Sequence, residues 1–361
     1  MTALPEASTA FALPDELSAT EPPEQRGLAR SDVRLLVADA HRVTHARFAD
    51  IGGFLDAGDL VVVNTSATLP AAVDGVRSDG RRMPLHFSTA LDDGTWIVEL
   101  RAPDGHGPIH DGERGEVIEL TGGALLTVLE AHPDRRQTTG SRLWRAKLHA
   151  DIPVPAYLDQ HGRPIAYGYV SHQWPISDYQ TVFAREPGSA EMPSAGRPFT
   201  SDVVTDLVSR GITVAPVLLH TGVSSLESGE APQPERYAVP EETARLVRHT
   251  QSSGGRIIAV GTTVTRALET AAGPSGLVTA SAGWTELVLG PRRRARVVDG
   301  LITGWHAPRA SHLLLLEAVA GADLVQRAYD AAIAARYLWH EFGDSALLLP
   351  PRRARLLRPA G

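Results

Sequence analysis

Two apolar runs in the C-terminal half end abruptly at small, hydroxyl-bearing residues, and this pattern narrows the fold more than any other stretch of the chain. Arg256-Ile257-Ile258-Ala259-Val260 stops at Gly261-Thr262-Thr263 and continues with helical spacing through Arg266 and Glu269. Arg296-Val297-Val298 to Leu301-Ile302 stops at Thr303-Gly304-Trp305-His306-Ala307-Pro308 and again turns helical. Strands that pass directly into helices imply βα units. In such folds ligands bind beyond the carboxyl ends of the strands, where helix N-termini present unpaired N–H groups. Hydroxyl, imidazole and guanidinium groups gathered at two such ends predict a floor for a polar ligand.

The remaining pattern divides the chain. Arg34–Asp39 and Thr44–Phe48 read as a hairpin around His41-Arg42, residues 49–57 as a short helix, and Asp59–Asn64 as a buried strand. From about Pro70 to Ala150 short runs recur at 71–77, 83–89, 95–101, 116–120, 124–131 and 142–148. Gly or Asp turns separate them, with no helical spacing between. That segment predicts a small antiparallel barrel or sandwich.

After Ile152-Pro153-Val154-Pro155, helices (201–210, 240–252, 263–272, 311–320, 324–339) alternate with strands (212–220, 256–260, 285–289, 296–303). The fold class is therefore α/β: a βα-alternating main domain, mainly parallel sheet or barrel-like, from residues 1–69 and 151–361. A small antiparallel β-barrel domain, 70–150, is inserted into it. Phe11–Leu17 is expected to dock on the body while the first few residues fray. Gly188–Arg197 and Ser224–Gln233 have the length of active-site lids.

Composition removes several chemistries. The chain has 361 residues, 43% of them hydrophobic, enough for a substantial core. Cysteine is absent, so there is no disulfide frame, thiol nucleophile, cysteine-ligated cluster or zinc ribbon. Lys147 is the only lysine, which leaves one residue for Schiff-base chemistry, and no phosphate-cradling loop with its lysine is present. A net charge of −7 argues against nucleic-acid binding through bulk electrostatics, although Arg292, Arg293, Arg294 and Arg296 form a local basic run. No apolar stretch is long enough to span a membrane and no secretory signal is visible, so a cytoplasmic protein is expected.

At the first junction, Thr262 or Thr263 would serve a helix as N-cap with no further role. At the second, Thr303, Gly304 and Trp305 beside His306 suit a flat heterocycle. His312, six residues on, shares no helix face with His306, and no HExxH pattern is present, so metal binding is not expected. Tyr179-Gln180-Thr181-Val182-Phe183, Glu186-Pro187-Gly188 and Pro193-Ser194-Ala195-Gly196 form a third cluster whose small residues permit close backbone approach. An ordinary surface loop has the same composition. Phe342-Gly343-Asp344 reads as a turn after a helix.

In this order, these segments resemble the S-adenosylmethionine:tRNA ribosyltransferase-isomerases, which build the epoxycyclopentane group of epoxyqueuosine. The resemblance runs from about Phe11 to about Leu348. It rests on Pro14-Asp15-Glu16-Leu17, Gly58-Asp59-Leu60-Val61-Val62-Val63-Asn64, the third cluster, Val260-Gly261-Thr262-Thr263 with Arg266, Leu268 and Glu269, Val297 to Thr303 with His306 and Pro308, and Gly343-Asp344. It implies an α/β body with an inserted β-barrel. It also implies S-adenosylmethionine as co-substrate, tRNA as partner, no metal, and a monomer. In the implied reaction a base removes a proton beside the sulfonium; adenine and methionine leave, and the aminomethyl group of a 7-deazaguanine in tRNA receives the carbocycle. His306, Asp299 and Thr303 are then expected near the donor, with His306 as base. Gly261, Thr262, Thr263 and Arg266 are expected as a second wall, with Arg266 clamping the donor carboxylate. Asn64, Tyr179, Gly196, Trp305 and Asp344 are further binding candidates.

Departures from the family pattern concentrate in the strand-end loops. Asn64 is followed by Thr65-Ser66-Ala67 in place of Asp-Thr-Arg. Arg197-Pro198 stand for Leu-His after Gly196. The stretch 222–237 lacks the usual Gly-Ala-Gly-Thr-Phe and histidines, and Gly304-Trp305-His306-Ala307-Pro308-Arg309-Ala310 replaces Asn-Phe-His-Leu-Pro-Glu-Ser. Two alternatives follow: a paralogue that uses or cleaves the same donor with a small-molecule acceptor, and a silent binding protein.

Overall fold

The computed structural model describes residues 5–103, 107–134, 136–137, 140–170, 172–224 and 232–352. Its body is an open nine-stranded sheet in the order Ser281–Thr285, Glu235–Val239, Thr213–Leu219, Leu60–Asn64, Ile257–Val260, Gly300–Gly304, Ser345–Leu349, Arg34–Asp39 and Val43–Arg47. The barrel-like form expected for the body thus resolves as an open sheet. The sheet is mixed rather than mainly parallel. The four central strands from Thr213–Leu219 to Gly300–Gly304 run parallel, Ser345–Leu349 is antiparallel to Gly300–Gly304, and both edges carry antiparallel strands.

Alternation along the central strands accounts for burial on both faces. Leu60, Val62, Ile257 and Ala259 enter one core with the helices Glu241–Ser252, Gly261–Thr270, His312–Ala320 and Ala322–Ala334. Val61, Val63, Ile258 and Val260 enter a second core with Phe48, Phe199, Val203 and Leu207. Period-two side chains with helices above and below give continuous apolar runs, as these strands show.

All six runs read between 70 and 150 are strands, and they close into a barrel: Ala72–Val76, Arg82–Ala90, Trp96–Leu100, Val117–Leu120, Leu125–His132 and Leu143–His149. Ile118 and Leu120 face its core while Val117 and Glu119 face water, the alternation a small barrel requires. A small parallel pair, Ser66–Thr68 with Glu186–Ser189, joins the barrel side to the body. Phe11, Leu13 and Leu17 dock on the body, and Thr9 donates through its backbone N–H to Glu317 at 2.7 Å. The expected fraying at residues 1–4 lies outside the described residues. Among the described residues no helix is long and apolar enough to cross a membrane.

The short helix read at 49–57 is a 3-10 helix, Phe48–Phe54. Two local readings are corrected. The strand placed at 285–289 lies four residues earlier, at Ser281–Thr285, and the following residues are irregular. The strand placed at 296–303 is Gly300–Gly304. The last shift has a specific cause. The Glu269 carboxylate, 1% exposed, accepts backbone N–H groups from Arg296 (2.8 Å), Val297 (2.7 Å) and Val298 (3.1 Å), so these residues donate to a side chain instead of a neighbouring strand. Glu269→Ala leaves those donors unmet and is expected to lower the unfolding free energy by about 3 kcal/mol or more in urea titration. A loss below about 1 kcal/mol would show that the carboxylate does not hold the segment.

Candidate active site

The carboxyl ends of the parallel strands open into a cavity of about 650 Å³ between the sheet and the barrel. Ile257–Val260 delivers Gly261, Thr262, Thr263 and Arg266 to its wall; Gly300–Gly304 delivers Thr303, Trp305 and His306. From the barrel side come Arg101, Ile165, Tyr167 and Val223, and from the loops Tyr179, Glu191, Glu235, His340 and Glu341. Eight of the twelve residues singled out from the sequence therefore share one cavity: Gly261, Thr262, Thr263, Arg266, Thr303, Trp305, His306 and Tyr179.

Gly261 has φ +92°, and a Cβ there would stand 3.3 Å from Ala195, so glycine permits the sharp turn from strand to helix at this rim. The helix begins at Gly261 itself, and its N-cap is Val260 with no side-chain cap. The capping role considered for Thr262 or Thr263 is thus corrected: neither hydroxyl closes the helix end. Thr263 Oγ1 has no hydrogen-bond partner, nor do Trp305 Nε1 and Tyr179 OH, both on residues 3% exposed. Three unpartnered polar atoms around one cavity are what a site for a polar ligand requires, because a buried donor left unmade costs free energy.

The Thr303 hydroxyl lies 3.1 Å from Gly304 O and 3.1 Å from His306 Nε2. The hydroxyl has one proton for these two acceptors: when it goes to the carbonyl, His306 Nε2–H donates to Thr303 and Nδ1 keeps the lone pair, and when it goes to Nε2 the roles reverse. His306 and His312 stack with centroids 4.6 Å apart and planes 2° from parallel, a contact the chain spacing did not suggest. Tyr329 OH accepts the His306 backbone N–H at 3.2 Å, and His306 O accepts from Trp339 Nε1 at 3.0 Å, which fixes the loop. Burial, then the neighbouring His312 and His340, hold the His306 pKa well below the ordinary imidazole value. Burial pushes His312 and His340 down to about 4. All three rings are neutral at pH 7. Among the described residues no cluster of three His, Asp or Glu has metal-binding geometry.

Arg266 lines the cavity but is not available as expected. Its Nε donates to Leu287 O, Nη2 to Gln233 O and Thr285 O (each 3.2 Å), and Nη1 to the Glu235 carboxylate. The carboxylate-clamp reading is corrected: this guanidinium, 6% exposed, braces the irregular segment beyond Ser281–Thr285 against the start of Glu235–Val239.

Four candidates lie outside the cavity. Asp299 sits at the opposite end of its strand, about 13 Å from Thr303 by strand rise, and accepts Ile257 N–H at 2.9 Å. Asn64 brackets two strand ends, donating to Leu219 O at 2.8 Å and accepting from Leu219 N–H at 3.0 Å and Ser66 N–H at 3.1 Å. Gly196 closes the turn Ser194–Gly196 behind the wall, packed on Thr181. Asp344 accepts from Arg34 N–H (2.8 Å), the Arg34 guanidinium (2.7 Å) and Leu338 N–H (2.7 Å), so the turn at 342–344 ties a helix exit to two strands.

Sequence reasoning missed the carboxylates and aromatic groups of the far wall. Glu191 accepts from Ser224 N–H (2.8 Å), Ser224 Oγ (2.5 Å) and Tyr167 OH; Glu341 accepts from Tyr169 OH (2.5 Å). The Tyr167 and Tyr169 rings stack at 6.1 Å, and Tyr169 stacks on His340 at 4.0 Å. The supposed lid 188–197 forms part of this wall, while residues 225–231 of the second supposed lid lie outside the described residues.

A family described as "Queuosine biosynthesis protein" matches residues 7–348. The S-adenosylmethionine:tRNA ribosyltransferase-isomerase of Acidiphilium cryptum is 36% identical over 353 residues, spanning 94% of this chain and 97% of its own length. The protein of the same name from Thiobacillus denitrificans is 34% identical, spanning 97% and 98%. The crystal structure of S-adenosylmethionine tRNA ribosyltransferase from Thermotoga maritima aligns with a TM-score of 0.52 at 29% identity, covering 94% of this chain and 99% of that one.

Arg266→Lys is expected to lower the unfolding free energy by about 2 kcal/mol, because an ammonium cannot reach four acceptors in a planar fork. A large rise in KM at unchanged stability would instead restore the clamp. Ring NMR should show His312 and His340 neutral from pH 8 to pH 5, since their depressed pKa values place protonation below that window. Titration centred near 6.5 would contradict the buried stack.

Proposed function

This chain belongs to the queuosine biosynthesis protein family, and on that premise we propose that it acts as an S-adenosylmethionine:tRNA ribosyltransferase-isomerase. It transfers and isomerises the ribosyl group of S-adenosylmethionine onto a 7-aminomethyl-7-deazaguanine in tRNA, releasing adenine and methionine. The observation that carries the reading is the single cavity that gathers Gly261, Thr262, Thr263, Thr303, Trp305 and His306 at adjacent strand ends.

The reaction needs a base beside the carbon attached to the sulfonium, a slot for adenine and exclusion of water. His306 Nδ1 supplies the base: the ring is neutral, Thr303 accepts from Nε2–H in this reading, and the stack on His312 limits its rotation. Imidazole is a far weaker base than the ylide it must generate. Withdrawal from water and the sulfonium's own charge make up part of that gap. Thr263 Oγ1 and Trp305 Nε1, both unpartnered, face the donor as hydrogen-bond donors, and the Trp305 ring backs the heterocycle. Thr303 is a positioning residue, and Asp299 takes no part. The body (1–69 with 151–361) and the insert (70–150) act as two domains that close the cavity between them. A cytoplasmic monomer remains the proposed form.

Incubation with S-adenosylmethionine and tRNA carrying the aminomethyl precursor is expected to release adenine, and absence of release would sink the proposal. His306→Ala should lower kcat by about 10²–10⁴ with the fold intact. Turnover retained at the wild-type rate would remove His306 as the base. The substitutions in the strand-end loops favour a second reading, the same donor used with a smaller acceptor. Adenine release indifferent to tRNA would select it.

A further inference from the structure

Two carboxylates of the cavity, Glu191 and Glu341, form no ion pair among the described residues, and the one cation acting on either, Arg197 on Glu341, does so from beyond ion-pair distance. Glu235 has Arg266, and buried Glu99 beneath the barrel wall has Arg101 and Arg142. Glu191 and Glu341 accept only neutral donors among the described residues: Ser224 and Tyr167 for one, Tyr169 for the other. Burial pushes both carboxyl pKa values up, and each is raised further by a neighbouring carboxylate, Glu99 for Glu191 and Glu191 for Glu341. Carboxylates kept partly from water without a cation recruit one, or a proton.

A second observation points to a ligand at the same wall. Tyr179 OH is unpartnered on a residue 3% exposed, lines the cavity, and lies close enough to Glu341 for the carboxylate to raise its pKa. The Tyr167, Tyr169 and His340 rings form a stacked series beside it, a face suited to a planar heterocycle. Lone pairs on both carboxylates remain open. A sulfonium centre carries no N–H to fill them, whereas a primary ammonium carries three; the methionine part of the donor and the side chain of the acceptor each have one, and the flat aromatic face beside the carboxylates favours the ammonium attached to a flat ring.

We propose that Glu191 and Glu341, oriented by the stacked Tyr167 and Tyr169, form the subsite for the primary ammonium of the acceptor, whose flat ring lies against those tyrosines. The inference rests on the ribosyltransferase-isomerase reading. An ammonium has no lone pair with which to attack. At this subsite one N–H bond breaks and one carboxyl O–H bond forms, and the nitrogen retains the electron pair.

The test compares binding of two anticodon stem-loop RNAs, identical except that the deazaguanine side chain ends in an aminomethyl group in one and a nitrile in the other. Wild-type protein should prefer the amine by about tenfold or more, the scale of a charge-assisted contact. Glu191→Gln and Glu341→Gln, which keep the shape and can still accept from tyrosine, should each largely abolish that preference while leaving S-adenosylmethionine affinity unchanged. Equal or absent binding of both RNAs by the wild type overturns the subsite, as does a preference that persists in both variants. Loss of affinity in the variants for S-adenosylmethionine, whether selective or shared with S-adenosylhomocysteine, which lacks the sulfonium charge but keeps the α-ammonium, would assign the carboxylates to the donor and also overturn it. If one variant fails to fold, the other decides alone. The adenine-release assay is independent of these outcomes: an amine preference lost in the variants with no adenine release keeps the subsite and rejects the reaction class.

Discussion

The helix Gly261–Thr270 carries two buried charges that tie down the chain on either side of the cavity. Glu269 gathers three successive backbone N–H groups at 296–298 and so sets where the strand Gly300–Gly304 begins, and hence where Thr303 and His306 end up. Arg266, one turn earlier, holds Glu235 and three backbone carbonyls of the opposite wall. Neither charge is free to act on a substrate, because both are spent on backbone groups that would otherwise lack partners. Fixing loops in this way lets irregular backbone line a cavity without collapsing into it.

The charge pattern inside the cavity is divided. At the strand-end wall, apart from the Arg266–Glu235 pair, the groups are neutral: the His306 and His312 imidazoles kept uncharged by burial, three threonines, an indole N–H and the start of a helix. At the far wall two carboxylates sit against stacked aromatic rings. A neutral base suits removal of a proton next to a positive sulfur, since a cationic wall would repel the donor. The carboxylate wall suits the partner that arrives with its own positive charge.

How much of this was legible in the chain follows from which interactions are local. The six barrel strands announce themselves by alternation between Gly and Asp turns, and each was found. Ile257–Val260 and the helices after it were equally plain, because their periodicity depends on burial alone. The strands Glu235–Val239 and Ser281–Thr285, at one side of the sheet, are short and mixed in polarity, and only cross-strand partners make them strands. The segment 296–298 has the composition of a strand and is not one, because a glutamate from another element takes its donors. In the cavity, residues at strand ends were found because chain position marks them. Glu191, Tyr167, Tyr169 and Glu341 lie in separate loops with no common spacing, and only the tertiary fold brings them together. Asp299 was misplaced for the converse reason: adjacency in sequence to Thr303 says nothing about which end of a strand a side chain serves.

A structure with S-adenosylmethionine bound tests most directly whether the strand-end cavity is the donor site. The adenosyl group should lie against Trp305, with Thr263 Oγ1 and Trp305 Nε1 now partnered and His306 Nδ1 within hydrogen-bond reach of the carbon next to sulfur. A donor bound outside this cavity, or bound within it while His306 turns its Nδ1 away and both polar atoms stay unpartnered, would contradict the assignment.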